Sequence, residues 1–100
     1  MPYSILHSER GLVLELRGTV TARDASELGQ ALAAALPRGA AAIIRAPQLE
    51  DIDTCILQLL IALRRTASEF QIESPSEAFI RAIDRSALRR ELLAGSREAA

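Results

Sequence analysis

The residues able to do chemistry stand together in one short stretch, Asp51-Ile52-Asp53-Thr54-Cys55, which holds two carboxylates, a hydroxyl and the single thiol of the chain. It opens onto Ile56-Leu57-Gln58-Leu59-Leu60-Ile61-Ala62-Leu63-Arg64-Arg65, the most apolar run in the sequence. Asp53 suits a helix N-cap, because its carboxylate can accept from backbone N–H groups two or three residues on. Thr54 then falls in the first turn, where unpaired N–H groups and the positive end of the helix dipole favour negative charge. A threonine hydroxyl there is an ordinary surface group, whereas a phosphothreonine would sit in a ready anion site. Asp51 and Asp53, two residues apart, read as loop and cap. Their carboxylates can also help present Thr54 to the metal-bound nucleotide of a kinase. Cys55 reads as a small apolar residue of the first turn.

Catalysis needs a nucleophile beside a base, or two carboxylates facing each other across a cleft. Cys55 has no histidine near it, since the single His is His7, which reads as part of a surface strand. No enzymatic activity, no cofactor and no metal site are expected.

The helix that follows Asp53 can be divided into faces at about 100° per residue. Opposite Thr54, the residues Ile56, Leu60, Leu63 and Ala67 recur at spacings of four, three and four and form a core stripe. Gln58, Ile61 and Arg65 fall within about 40° of Thr54, and Leu57 flanks them. Two readings of this mixed face follow. Leu57 and Ile61 pack under a neighbouring helix or loop, or Leu57, Gln58, Ile61 and Arg65 form an exposed partner-docking patch beside a switchable hydroxyl.

The elements that position this stretch are legible in order. Tyr3 to His7 and Leu12 to Leu16 flank Ser8-Glu9-Arg10-Gly11 and read as a hairpin, with Gly18 ending the second strand. Thr21-Ala22-Arg23-Asp24 reads as a helix start, with Thr21 as cap and Asp24 in the first turn. Ala25, Leu28, Leu32 and Ala35 make its apolar stripe, and Pro37 and Gly39 stop it near Leu36. Ala40 to Ile44 is a continuous apolar run that fits a central strand covered on both faces. Pro47 breaks the chain, and Gln48 to Ile52 forms a loop leading to Thr54. Phe70-Gln71-Ile72-Glu73 is a short strand. Ser74-Pro75-Ser76-Glu77 combines a capping box with proline at the first helical position. Ala78 or Phe79, with Ala82 and Ile83, supplies the next apolar face. Asp84-Arg85-Ser86 interrupts it, and Leu88, Leu92 and Leu93 belong to a final helix. Arg81, Arg85, Arg89 and Arg90 form a basic strip that reads as a solvated face or as a contact for an acidic partner. Residues 1–94 are expected to form one domain and residues 95–100 a frayed tail.

The composition bounds the rest. One hundred residues with 49% apolar and 25% charged side chains suit a single globular domain. A net charge of −1 and an aromatic content of 3% argue against nucleic acid as partner. All twelve basic residues are arginine, which reads as genome composition rather than chemistry. One cysteine excludes an internal disulfide. No signal-peptide pattern opens the chain. The longest apolar stretch, Ile56 to Leu63, is far short of the roughly 20 residues a membrane span needs, so no membrane insertion and a cytoplasmic location are expected. Strands that alternate with helices after an initial hairpin give an α/β domain. Its sheet is mixed, with four or five strands, and about four helices pack mainly on one face.

Ile52-Asp53-Thr54-Cys55-Ile56-Leu57-Gln58-Leu59-Leu60 resembles the signature of the STAS domains, the fold of the anti-sigma factor antagonists. Arg17-Gly18-Thr19-Val20-Thr21 looks like the segment before that family's first helix, and Ala40 to Arg45 like its central strand. Phe70 to Ser74 with Pro75 to Leu93 looks like its last strand and C-terminal helices, so the resemblance covers nearly the whole chain. Arg45 stands where the family often has Asp. Cys55-Ile56 stands where it often has a small residue followed by Gly. Both departures bear on partner choice. The resemblance implies a bacterial regulatory binding module, an antagonist that binds a kinase-like regulator or anti-sigma factor until Thr54 is phosphorylated, with Asp51, Asp53 and Cys55 supporting that site. The alternative is a constitutive subunit of a larger assembly, such as a lipid-transport ATPase or a chemosensory complex, using the same surface without phosphorylation. Either protein would be a monomer or weak dimer.

Overall fold

In the computed structural model, residues 2–9, 11–35 and 40–93 are described. The helix stop expected at Pro37 and Gly39 and the tail expected at 95–100 lie outside them. Two strands, β1 (Tyr3–Ser8) and β2 (Gly11–Val20), pair antiparallel as the expected hairpin, with Ser8 opposite Gly11. Helix α1 (Ala22–Ala35) follows, then β3 (Ala42–Ile52), α2 (Thr54–Thr66) and β4 (Phe70–Glu73). Two short helices, α3 (Glu77–Arg85) and α4 (Arg89–Leu93), close the order. The sheet is mixed and four-stranded, in the order β1-β2-β3-β4, with β2, β3 and β4 mutually parallel.

The topology explains why α1 and α2 share one face. Each parallel crossover steps one strand further in the same direction, and right-handed crossovers then set their helices on the same side. That face is the core. Leu12, Leu14 and Leu16 of β2, Ile44 and Ala46 of β3, and Ile72 of β4 are buried there. Against them lie Leu28 and Leu32 of α1, Ile56, Leu60 and Leu63 of α2, and Phe79, Ala82 and Ile83 of α3. The stripes expected from helical spacing on all three helices are therefore the buried ones. Ala25, Ala35 and Ala67 pack at the margin.

The opposite face of the sheet carries a charge ladder. Arg45 of β3 lies 3.8 Å from Glu15 of β2 and 3.6 Å from Glu73 of β4, and Arg17 lies 3.5 Å from Glu15. Arg45 thus ties neighbouring strands by alternating charge across the ladder. Ile43, on that same face, is buried as well but lies outside the core cluster. With Arg45 and Glu15 half-exposed beside it, this face is not covered by a second layer among the described residues, contrary to the expectation for Ala40 to Ile44.

Three local expectations need correction. Gly18 does not end β2. It adopts φ +63° and the strand runs on to Val20 through a register shift between Gly18 and Thr19. Pro47 does not break β3 either, and Gln48 to Ile52 is strand, not loop. A second register shift falls between Glu15 and Arg17 on β2, opposite Arg45 to Gln48. At such a bulge the missing N–H of a proline costs no ladder bond. The helix expected to start after Ser74 is capped by Ser76 instead, and Pro75 precedes it. Ser76 Oγ accepts from Phe79 N at 3.1 Å and donates to the carbonyl of Leu49 at 2.7 Å, while Ser76 N donates to Ala46 O at 2.8 Å. The loop before α3 thereby supplies backbone partners to the half of β3 that extends past β4. No helix among the described residues is long and apolar enough to cross a membrane.

Candidate functional site

The site follows from where β2 and β3 end. The strands run parallel, with Thr19 opposite Asp51 and Val20 opposite Ile52, and one residue later each chain enters a helix. The first turns of α1 and α2 therefore stand side by side at the carboxyl edge of the sheet, where open α/β sheets commonly place ligand and partner sites.

Thr21 caps α1 as its sequence predicts. Its Oγ1 accepts from Arg23 N at 3.3 Å, and Asp24 Oδ2 accepts from Thr21 N at 2.9 Å. This reciprocal pair leaves Ala22 N–H, the first of the helix, to be satisfied from elsewhere. Asp53 satisfies it. Asp53 has the extended backbone of an N-cap (φ −76°, ψ 151°) but makes no side-chain cap bond to its own helix. Its Oδ2 accepts instead from Ala22 N at 2.7 Å, and its N–H donates to Val20 O at 3.0 Å. The carboxylate expected to cap α2 caps α1.

Thr54 is the first residue of α2 and is exposed, as expected. Its Oγ1 lies 3.3 Å from Oγ of Ser86, the residue that ends α3. The neighbouring Arg85 places Nη2 3.9 Å from Asp51 Oδ1, and that oxygen also accepts from Ile52 N at 2.9 Å. Four segments thus converge: the end of β3, the starts of α1 and α2, and the end of α3. Cys55 is exposed as a free thiol. His7 stands opposite Leu12, near the start of β2 and so at the other end of the sheet, which gives Cys55 and Thr54 no imidazole base. Among the described residues no cluster of three or more His, Cys, Asp or Glu could hold a metal ion.

Of the two readings of the face beside Thr54, packing holds for Leu57 and Ile61, which are therefore not exposed docking residues. Leu57 is fully buried and Ile61 is 8% exposed, both within the core cluster. The reason is α4. Its approach is fixed at the Thr54–Ser86 contact at one end, and at the other by Arg64 Nη1, which donates to the carbonyls of Arg90 and Glu91. The segment from Ser86 to Glu91 therefore runs beside α2, and Leu92 is buried in the same cluster as Leu57 and Ile61. What α2 presents to solvent is Thr54, Cys55, Gln58, Ala62, Arg65 and Thr66, a narrow stripe of small and polar groups. Gln58 and Arg65 stay exposed beside Thr54, whereas Leu57 and Ile61 are buried.

The clearest titration shifts fall outside this cluster. The Arg89 guanidinium, 2.7 and 2.8 Å from the two Asp84 oxygens, holds that carboxyl below its ordinary range and is itself raised. Burial pushes the Tyr3 hydroxyl up, helped by its bond to Glu27 at 3.0 Å. Of the basic strip, Arg81 pairs with Glu77 at 3.6 Å, Arg85 with Asp51 and Arg89 with Asp84, so these three work as a solvated, paired face. The sequence places Arg85 in the basic strip and reads Asp84-Arg85-Ser86 as an interruption between helices. Nothing local links them to a threonine 32 residues earlier.

A family model described as "Mlab, STAS domain" matches residues 5–94. No curated protein matches the chain. The matched span contains every residue of the cluster around Thr54.

Proposed function

The chain belongs to the STAS domain family, and on that premise we propose that it is a non-enzymatic protein-binding module resembling an anti-sigma factor antagonist, switched by phosphorylation of Thr54. The observation that carries this reading is the exposed hydroxyl of Thr54 at the start of α2, on one solvent-facing stripe with Gln58 and Arg65. In the unmodified state a protein partner, an anti-sigma factor or a serine/threonine kinase-like regulator, docks on that stripe. Phosphorylation adds a charge of about −1.5 to −2 at neutral pH. A partner surface that packs closely there must then desolvate the phosphate and meet Asp51 and Asp53 beside it, so binding is lost without refolding. The reading places the module, residues 1–94, in the cytoplasm, where nucleoside triphosphates are available to a kinase.

The test compares wild type, Thr54→Ala and Thr54→Glu as baits, with captured proteins quantified by mass spectrometry. A partner retained by wild type and Thr54→Ala but reduced by Thr54→Glu supports the switch. Glutamate carries less charge than phosphate, so a partial loss is expected. Equal retention by all three rejects it.

A second reading is a constitutive subunit of a larger assembly, such as a lipid-transport ATPase or a signalling complex. Two observations favour it: the matching family model carries the Mlab description, and the Thr54 hydroxyl is already engaged by Ser86. Intact mass of the protein from native cells separates the two. An added phosphate belongs to the first reading, and its absence under all growth conditions to the second.

A further inference from the structure

Resting on the reading of Thr54 as a phosphoacceptor, we propose that Arg85 and Ser86 at the end of α3 receive the phosphate, with Arg85 exchanging Asp51 for it. Transfer of the terminal phosphoryl group of a nucleoside triphosphate forms an O–P bond at Thr54 Oγ1. It breaks the bond to the bridging oxygen of the diphosphate, and releases the hydroxyl proton and the nucleoside diphosphate. The product cannot keep the present contact, because a phosphoryl group does not fit between two oxygens 3.3 Å apart. Ser86 Oγ, once displaced, changes from a neighbour of the hydroxyl into a donor to a phosphate oxygen.

Arg85 follows from charge and position. The charged groups near this end of the sheet include Glu50 and Asp51 of β3, Asp53 between β3 and α2, Arg23 and Asp24 at the start of α1, Arg85 at the end of α3, and the Asp84–Arg89 pair next to it. Asp53 is held by Ala22 N and Asp24 by Thr21 N. Arg85 immediately precedes Ser86, and its guanidinium sits 3.9 Å from a carboxylate only three residues from Thr54. That pair is long and exposed on both sides, so it holds the guanidinium weakly. A dianionic phosphate offers a stronger, bidentate partner than a single carboxylate oxygen at that distance. The exchange leaves Asp51 uncompensated beside the phosphate. It also moves the turn that leads into α4, the helix covering Leu57 and Ile61.

The test installs phosphothreonine at position 54 during synthesis of the full chain, so that it does not depend on whether cells modify Thr54. The second ionisation of the phosphate is then titrated by phosphorus NMR in wild type, Arg85→Gln and Arg23→Gln. The proposal expects the ionisation to lie lower in wild type than in Arg85→Gln by about half a unit or more, from the lost cation, and to be unchanged in Arg23→Gln. Equal values in wild type and Arg85→Gln overturn it, as does a shift confined to Arg23→Gln. Circular dichroism of the unphosphorylated variants checks that the exposed substitutions leave the fold intact. An absence of phosphate on Thr54 in native cells would reject the switch while leaving this chemical result standing.

Discussion

The carboxylate of Asp53 accepts a hydrogen bond from the backbone N–H of Ala22 at 2.7 Å, so the residue that precedes one helix caps the start of another. The two helix starts are consequently held together at the edge where Thr54 is presented. Asp53→Ala is expected to destabilise the protein by about 1–2 kcal/mol, the usual loss for an N-cap acceptor. Asp53→Asn, which keeps an acceptor oxygen, should cost less than half of that. Urea denaturation followed by circular dichroism reads both, and equal costs would contradict an oxygen-specific role.

Ser76 offers a sharper local test. Its hydroxyl bridges Phe79 N and Leu49 O, so Ser76→Ala removes a cap and a tie to β3 together, at about 1–2 kcal/mol. Ser74 is different, with φ +51° and no part in the cap. A left-handed conformation strains any residue with a Cβ by roughly 1–2 kcal/mol, part of which glycine returns through its greater freedom when unfolded. Ser74→Gly should therefore stabilise by up to about 1 kcal/mol, seen as a higher urea midpoint.

Leu57 and Gln58 are adjacent on α2 yet should respond in opposite ways. Leu57 is fully buried, and Leu57→Ala is expected to cost about 2–5 kcal/mol through lost burial and a residual cavity. Gln58 faces solvent, and Gln58→Ala should stay within about 0.5 kcal/mol of wild type. Effects of Gln58→Ala and Arg65→Ala on partner capture, with unchanged stability, would locate the docking stripe. A mild Leu57→Ala would place that side chain at the surface after all.

Acid should loosen the junction between α3 and α4. Asp84 is held below its ordinary value by the Arg89 hydrogen bonds. A carboxyl depressed in the folded state contributes stability that is present above its unfolded value and is lost as pH falls through the folded one. Wild type should thus lose stability below about pH 4 more steeply than Asp84→Asn. The pair is exposed, so the difference is small. Thermal melts across that range measure it, and parallel curves would exclude the contribution.

Much of the molecule was legible because its signals are local. The stripe Leu28–Leu32, the stripe Ile56–Leu60–Leu63 and the set Phe79, Ala82 and Ile83 repeat at helical spacing, and all are buried. The Thr21–Asp24 cap spans three residues and forms as read. Gly18 and Pro47 misled for a physical reason. Both are strand breakers in isolation, but each sits at or beside a bulge of a parallel pair whose other contacts hold the strand together. Ser74 misled because its neighbour Ser76 has a second partner, Leu49, 27 residues away.

By itself, then, the sequence determined the order of strands and helices, the faces of the helices and the placing of Thr54 at the start of α2, because periodicity and capping act over two to four residues. Only the tertiary structure decided that Asp53 serves α1, that Arg85 and Ser86 stand beside Thr54, and that α4 covers Leu57 and Ile61. The bonds of Asp53, Ser86 and α4 join residues 31, 32 and 26 or 27 apart. Their partners are selected by how the sheet and its crossovers bring chain ends together, and no spacing within the chain encodes that choice.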